Sequence, residues 1–329
     1  MKNKISLLVK VISVLIVAFF LFFYWASSPT INKEEYAKLI RLENNNNVNT
    51  NQNNDSIYSI ITYNVGYLSG MTNNLPVAKS KKLFDDNFNK VKTELQKITP
   101  DIIAFQEIDY KASRSYKVNQ EAEFMKLGYK YAARGVNWDE TYVPFPYWPP
   151  SMHFGQIVSG QSILSKYELK NYERIVLARV PDSPFYRDAL YLDRLLQVVK
   201  VLINGKEVVV LNIHLEAFDT ETRVNQFEQV LAVFNSYKDK FPTILLGDFN
   251  SKARDNTAII QQLITMKGIG NAAFTPNNPA NTFDTKDLYE RIDYIFYTEK
   301  TIEYISGKVL NSFGQASDHL PIEMKFKLK

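Results

Sequence analysis

Apolar and polar positions along this chain fall into blocks, and each block predicts an element. The stretch "IYSIITYNVG" is β-branched and aromatic, and it predicts a strand that runs into a loop at Asn64. Phe84, Phe88, Val91, Leu95 and Ile98 recur at helical spacing, predicting a helix with one buried face that stops before Pro100. "DIIAFQE" predicts a short buried strand. "LLQVVKVLINGKEVVVLNIHLE" holds two β-branched runs joined at Asn204-Gly205, a pair that favours a tight hairpin. Val224, Phe227, Leu231 and Phe234 mark a second amphipathic helix, and "FPTILLGDFN" and "RIDYIFY" are further strands. From Ile57 onward the alternation predicts one α/β domain, and the hairpin argues against a purely parallel sheet in favour of mixed sheets covered by helices.

Two stretches break the pattern. At the N-terminus, Lys2, Lys4 and Lys10 precede an uncharged apolar run from Val11 to Trp25 that ends in Phe22, Phe23, Tyr24 and Trp25. Counted back to Ile5, with Lys10 snorkelling, it reaches the roughly 20 residues a membrane span needs. Residues 1–28 therefore read as a signal-anchor, or as a signal peptide cut near Ala26-Ser27-Ser28. In both cases the preceding lysines keep to the cytoplasmic side and the remainder lies outside the cytoplasm. Residues 29–54, with the asparagine-rich "NNNNVNTNQNND", read as a flexible tether, and 55–329 as the domain. Between Tyr131 and Gly160, "AARGVNWDETYVPFPYWPPSMHFGQIVSG" is rich in proline and aromatics and reads as a long loop. Its Phe145, Tyr147 and Trp148 suit either a membrane interface or packing on their own domain, and His153 reads as structural or exposed.

Composition narrows the chemistry. The chain has 329 residues, 45% hydrophobic and 22% charged, enough for a sizeable core. A net charge of +4, without a basic stripe interleaved with aromatics, does not mark a nucleic-acid protein. There is no cysteine, which excludes disulfides, thiolate metal sites and a cysteine nucleophile.

What remains is a set of polar residues where apolar strands begin or end: Asn64, Glu107, His214, Asp248, Asn250, Asp293, and the pair Asp318-His319. Carboxylates with amide oxygens suit a hard divalent cation, and two of the chain's three histidines lie among them to serve proton transfer. Singly each has a plainer reading: a solvated strand end for Glu107, a core histidine for His214, Asx-turns for Asn64 and Asn250, an ion pair with Arg291 for Asp293. Together, in this order, they point to one rim.

In order, "TYNVG", "IIAFQEID", "SGQSILSK", "LNIHLEAF", "LLGDFNS", "RIDYIF" and "SDHLPI" resemble the motifs of the endonuclease/exonuclease/phosphatase superfamily, across about residues 57–325. That superfamily includes pancreatic-type deoxyribonucleases, AP endonucleases, sphingomyelinases, inositol-polyphosphate 5-phosphatases and deadenylases. The resemblance implies a four-layer α/β sandwich, two mixed sheets face to face with helices outside. It implies Mg²⁺, with Mn²⁺ as the alternative, held chiefly by Glu107 with Asn64 and Asp318 nearby. It implies that Asp248 and Asn250 hold the attacking water and the phosphate. His319, oriented by Asp293, is a base or phosphate-binding group, and His214 stabilises the phosphorane or assists the leaving group. Whether Asp248 or His319 takes the proton stays open at this level. "LNIHLEA" resembles the deoxyribonuclease, sphingomyelinase and 5-phosphatase branches more than the AP endonucleases. The expected activity is phosphodiester hydrolysis on a phospholipid or sphingolipid headgroup, with an exported or surface-tethered nuclease second and a silent binding module third. No obligate protein partner is inferred.

Overall fold

The computed structural model describes residues 2–42, 56–73 and 75–329. Its core is two mixed sheets. The first contains β1 (Ala37–Arg41), β2 (Tyr58–Asn64), β3 (Ile102–Asp109), β4 (Tyr131–Val143), β5 (Gly155–Ser165), β12 (Ile302–Val309) and β13 (Ile322–Leu328), in the order β1-β4-β5-β3-β2-β13-β12. The second contains β6 (Leu169–Val176), β7 (Leu195–Ile203), β8 (Lys206–His214), β9 (Thr243–Asp248), β10 (Ile269–Asn271) and β11 (Asp293–Thr298), in the order β10-β11-β9-β8-β7-β6. Among the described residues each sheet has one parallel strand pair, β2 with β3 and β8 with β9, and the other strand pairs are antiparallel.

A parallel pair needs a crossover, and the two sequence-predicted helices supply them. After α1 (Lys2–Ala26), α2 (Lys81–Ile98) links β2 to β3 and α3 (Thr220–Tyr237) links β8 to β9. Ser80 caps α2 by accepting from the Leu83 amide, and Asp219 caps α3 through Thr222. Phe84, Val91 and Leu95 of α2 bury against Ile61, Tyr63, Ile103 and Phe105 on the outer face of the first sheet. Phe227, Val230 and Phe234 of α3 bury against the outer face of the second. The inner faces meet through Ile60, Ala104, Val208, Val210, Ile244, Leu246, Ile295 and Met324. This is the expected four-layer sandwich.

The period-2 alternation of strands then places the site. Tyr58, Ile60, Thr62 and Asn64 of β2 take inward positions, as do Val208, Val210, Asn212 and His214 of β8. Ile244, Leu246 and Asp248 of β9 do the same. Along these central strands the inward positions pass from apolar residues to polar ones at the strand end, so the ends form one polar layer above the core.

Two expectations need correction. The tether read over 29–54 is not free at its start. Ala37–Arg41 is an edge strand of the first sheet, pairing antiparallel with β4 from Ala37 opposite Gly135 to Arg41 opposite Tyr131. Tyr36 and Ile40 pack on the outer core, whereas Ala37, Lys38 and Leu39 between them are exposed, so "YAKLIR" shows no clean alternation. The asparagine tract itself falls within 43–55, outside the described residues. The stretch Tyr131–Gly160 is chiefly the long hairpin β4–β5, and only 144–154 is a connection. Its inward polar residues, such as Asn137, disguised the strand pattern; Asn137 is buried and donates to the Asp193 carbonyl.

β4 also carries a buried carboxylate with no role in the cleft. Burial, reinforced by the neighbouring Asp139 carboxylate, pushes Glu140 up to about 8. The folded state therefore keeps a proton that the unfolded chain releases above about pH 4.5, so this group's penalty grows from there to about pH 8 and is constant beyond. Glu140→Gln is expected to raise the melting temperature by about 2–4 °C at pH 8 for each kcal/mol relieved, with no gain at pH 4. Calorimetry at the two pH values checks it, and an equal shift at both would contradict the burial argument.

Candidate active site

Four strand ends of the first sheet's centre and the second sheet's centre meet here. Asn64 closes β2 and Glu107 lies near the end of β3; His214 closes β8 and Asp248 closes β9. Register aligns them: Asn64 sits opposite Gln106, His214 opposite Asp248, and Asp248 opposite Asp293 at the start of β11. Asp318 and His319 enter from the turn ahead of β13.

Glu107 reaches the cleft through a break in its strand. Strict alternation would send it outward with Ile103 and Phe105, toward α2. Instead the pairing of β3 with β5 slips between Phe105 and Ile108, and Glu107 adopts φ +51°, in the left-handed region a non-glycine residue rarely occupies. The bulge turns the carboxylate back toward the cleft. Gly247 allows the opposite wall. A Cβ there would lie 2.0 Å from the Ile213 carbonyl oxygen, so only glycine lets β9 run against β8 and bring Asp248 beside His214.

On one side, Asn73 Nδ2 donates to Glu107 Oε2 at 2.9 Å and lies 3.3 Å from Asp318 Oδ2. Burial, then the Asp318 charge, raises the Glu107 pKa above its ordinary value. Two partly exposed carboxylates converging on one amide form an oxygen-donor set that fits a divalent cation, which relieves that repulsion. Asn64 reaches both halves of the cleft. Its Nδ2 donates to Asp248 Oδ2 at 3.0 Å and faces Glu107 Oε1 at 3.4 Å, while its Oδ1 accepts from the Gly66 amide at 3.1 Å. Both ends of the side chain are engaged, and Asn64 links Glu107 to Asp248.

On the other side, His319 Nδ1 lies 3.0 Å from Asp293 Oδ2, leaving Nε2 toward Asp248 Oδ2 at 3.8 Å. Burial opposes charge on His319, but Asp293 and Asp248 outweigh it and hold the imidazole well above its ordinary pKa. Asp248 is raised, mainly by burial, and its Oδ1 accepts from the Asn250 amide at 2.9 Å. Asn250 itself sits at φ +47° and donates its side chain to the Leu215 carbonyl at 2.9 Å, so it braces the Asp248 turn. Asp248, Asp293 and His319 bring ligand-type atoms within 4.8 Å of one another, a second group able to hold a metal ion. Arg291 does not pair with the Asp293 carboxylate: it donates to the Asp293 backbone carbonyl at 2.6 Å and to the Ala273 and Ala280 carbonyls.

Sequence reading missed Asn73 and Arg194. Arg194 is buried, donates from Nη1 to His214 Nε2 at 2.7 Å, and lies 3.3 Å from Glu216 Oε2 through Nε. Burial, Arg194 and His319 together depress the His214 pKa well below its ordinary value, so His214 is neutral and Arg194 carries the positive charge on that wall. The hairpin held the missed signal. A two-residue turn at Asn204-Gly205 fixes Leu195 opposite His214, which puts Arg194 beside it. Asn73 lies in a connection with no periodicity to place it. His153 is not among the residues that converge here; it hydrogen-bonds the Tyr142 hydroxyl through Nδ1 at 2.6 Å.

Comparisons agree with this architecture. Residues 61–319 match the family described as the Endonuclease/Exonuclease/phosphatase family. An endonuclease/exonuclease/phosphatase structure from Beutenbergia cavernae aligns with a TM-score of 0.59 at 20% identity, over 83% of this chain and 72% of that one. The catalytic domain of human Nocturnin with bound sulfate aligns with a TM-score of 0.58 at 18% identity, over 89% and 98%. At these identities the likeness is one of fold. A UPF0294 protein of Vibrio cholerae is 29% identical over 128 residues, 39% of this chain; the match spans 42% of that relative's length.

Replacing Arg194 by Gln removes one of the charges that depress His214. Its titration, followed through the imidazole NMR shifts, is expected to move to higher pH with the fold retained. An unmoved titration would mean that burial alone sets it.

Proposed function

This chain belongs to the endonuclease/exonuclease/phosphatase family, whose members are metal-dependent phosphoester hydrolases, and from that premise we propose a Mg²⁺-dependent phosphodiesterase that acts on a phospholipid or sphingolipid headgroup outside the cytoplasm. The observation that carries the chemistry is the meeting of Glu107 and Asp318 with Asp248, His319 and His214 in one cleft built from both sheets.

Glu107 and Asp318 would hold the Mg²⁺, with Mn²⁺ as its alternative. When bound, the cation offsets charge building on the phosphate oxygens. Asp248 is fixed by Asn64 and the Asn250 amide, and its raised pKa makes it a base suited to near-neutral pH; it takes the proton of the attacking water. His319, kept protonated by Asp293, offers its charge to the phosphate rather than acting as the base. On the facing wall Arg194 supplies charge, while neutral His214 lies 3.7 Å from Glu107 Oε1 and 3.5 Å from Asp248 Oδ2, near the place of the leaving group.

The lipid reading rests on α1. Its Lys4–Ala26 segment is long and apolar enough to be a membrane span or a signal sequence. With its lysines confined to the N-terminal end, we read it as an uncleaved anchor that leaves the domain outside. A surface nuclease is the second reading, favoured by Arg179, Arg187 and Arg194 lining one recess beside the cleft. Arg179 and Arg194 are already engaged, by Asp188 with Asp193 and by Glu216, which weakens it.

The purified full chain, given phospholipid vesicles and single- or double-stranded DNA in parallel, is expected to hydrolyse the lipid and to stop on chelation. Glu107→Ala and His319→Ala should each lower turnover by about 10²-fold or more. Wild-type rates in both variants would refute the site, and cleavage of DNA alone would replace the substrate.

A further inference from the structure

The rim of the cleft bears an exposed aromatic surface that the chemistry does not use. Register locates it. Asp109, at the cleft end of β3, pairs with Ser159 near the start of β5, so the connection 144–154 projects from the cleft end of the first sheet. In the second sheet His214 pairs with Leu195, and Leu195 with Val176 at the end of β6, so the connection 177–194 projects from that same end. These connections carry Tyr147, Trp148, Phe185 and Tyr186, which are 77%, 80%, 61% and 52% exposed.

The apolar helix ends at the same place. Phe22 and Trp25 pack on Tyr142 with ring centroids 6.0 and 5.9 Å apart, and Phe23 meets Phe185 at 5.7 Å. There is no slack between helix and domain. The Ser28 carbonyl accepts from the Thr141 amide at 2.9 Å and from its hydroxyl at 2.8 Å. Asp139 then accepts from the Thr30 amide and hydroxyl, the Ile31 amide and the Tyr36 hydroxyl, at 2.7–3.1 Å. A helix fixed this way dictates where the rim lies relative to the bilayer it leaves.

We propose that this aromatic rim is seated in the interface of the leaflet from which α1 emerges, so that the cleft opens onto a lipid surface. The partner is the bilayer itself. Aromatic rings with one polar edge favour that boundary, and Phe22 to Trp25 continue the same belt. Holding the cleft there raises the effective concentration of a surface phosphoester without any additional contact to it. The inference rests on reading α1 as a membrane span.

Because the chain lacks cysteine, single labels are unambiguous. Leu15→Cys, Trp148→Cys, Tyr186→Cys and Glu303→Cys, each in the full chain reconstituted in phosphatidylcholine vesicles, can carry nitroxides probed by oxygen and by a water-soluble nickel chelate. Glu303 lies on β12 near the far end of the first sheet. The expected order of oxygen preference is 15, then 148 and 186, then 303. If 15 is immersed while 148 and 186 are as wet as 303, the seating is wrong and the span stands. If 15 is itself wet, the span reading fails and the proposal with it. Shielding of 148 and 186 from both reagents would mean a protein contact and would overturn it.

Discussion

Just beneath the cleft, fully buried amides lock the two sheets together. Gln106 of β3 donates from Nε2 to Asn212 Oδ1 of β8 at 2.6 Å, and Asn212 Nδ2 donates to the Phe105 carbonyl at 3.1 Å and to Gln197 Oε1 at 2.9 Å. Gln197 in turn donates to the Ala133 and Gln161 carbonyls. Apolar faces slide over one another at little cost, whereas each buried amide that loses its partner costs about 1–3 kcal/mol. The ladder therefore fixes one alignment of the sheets. Gln106 adjoins Glu107, and Asn212 lies two residues before His214, so the alignment is passed directly to the charged layer.

That layer is held against its own electrostatics. Glu107 and Asp318 face each other, and Asp248 and Asp293 lie opposite one another. Such an arrangement persists only where the scaffold over-determines it, and the bulge at Glu107 shows the backbone yielding to it as well. The repulsion between Glu107 and Asp318 is what a bound cation would relieve.

How much was legible beforehand follows from which rules act locally. Alternation in "TYNVG", "VVVLNIH" and "TILLGD" identified strands and the inward residues that close them, and helical spacing identified both crossover helices. Asn204-Gly205 even fixed a register, from which Arg194 follows. The left-handed turn of Glu107 and the contacts of Asn64 depend on neighbours hundreds of positions away in some cases, as with Asp248 and Asp318, and no local pattern encodes them. Ala37–Arg41 was overlooked because an edge strand buries little, and Asn137 masked β4 because a buried amide, donating to the Asp193 carbonyl of a connection, interrupts the apolar pattern.

The central claim is that side chains from both sheets gather in one cleft that holds a cation at Glu107 and Asp318. Anomalous diffraction from crystals soaked in Mn²⁺ tests it most directly. The account predicts a peak coordinated by the Glu107 and Asp318 carboxylates, with Asp248 and His319 free to face the substrate. A peak held by Asp248, Asp293 and His319 alone, or none in the cleft, would contradict it.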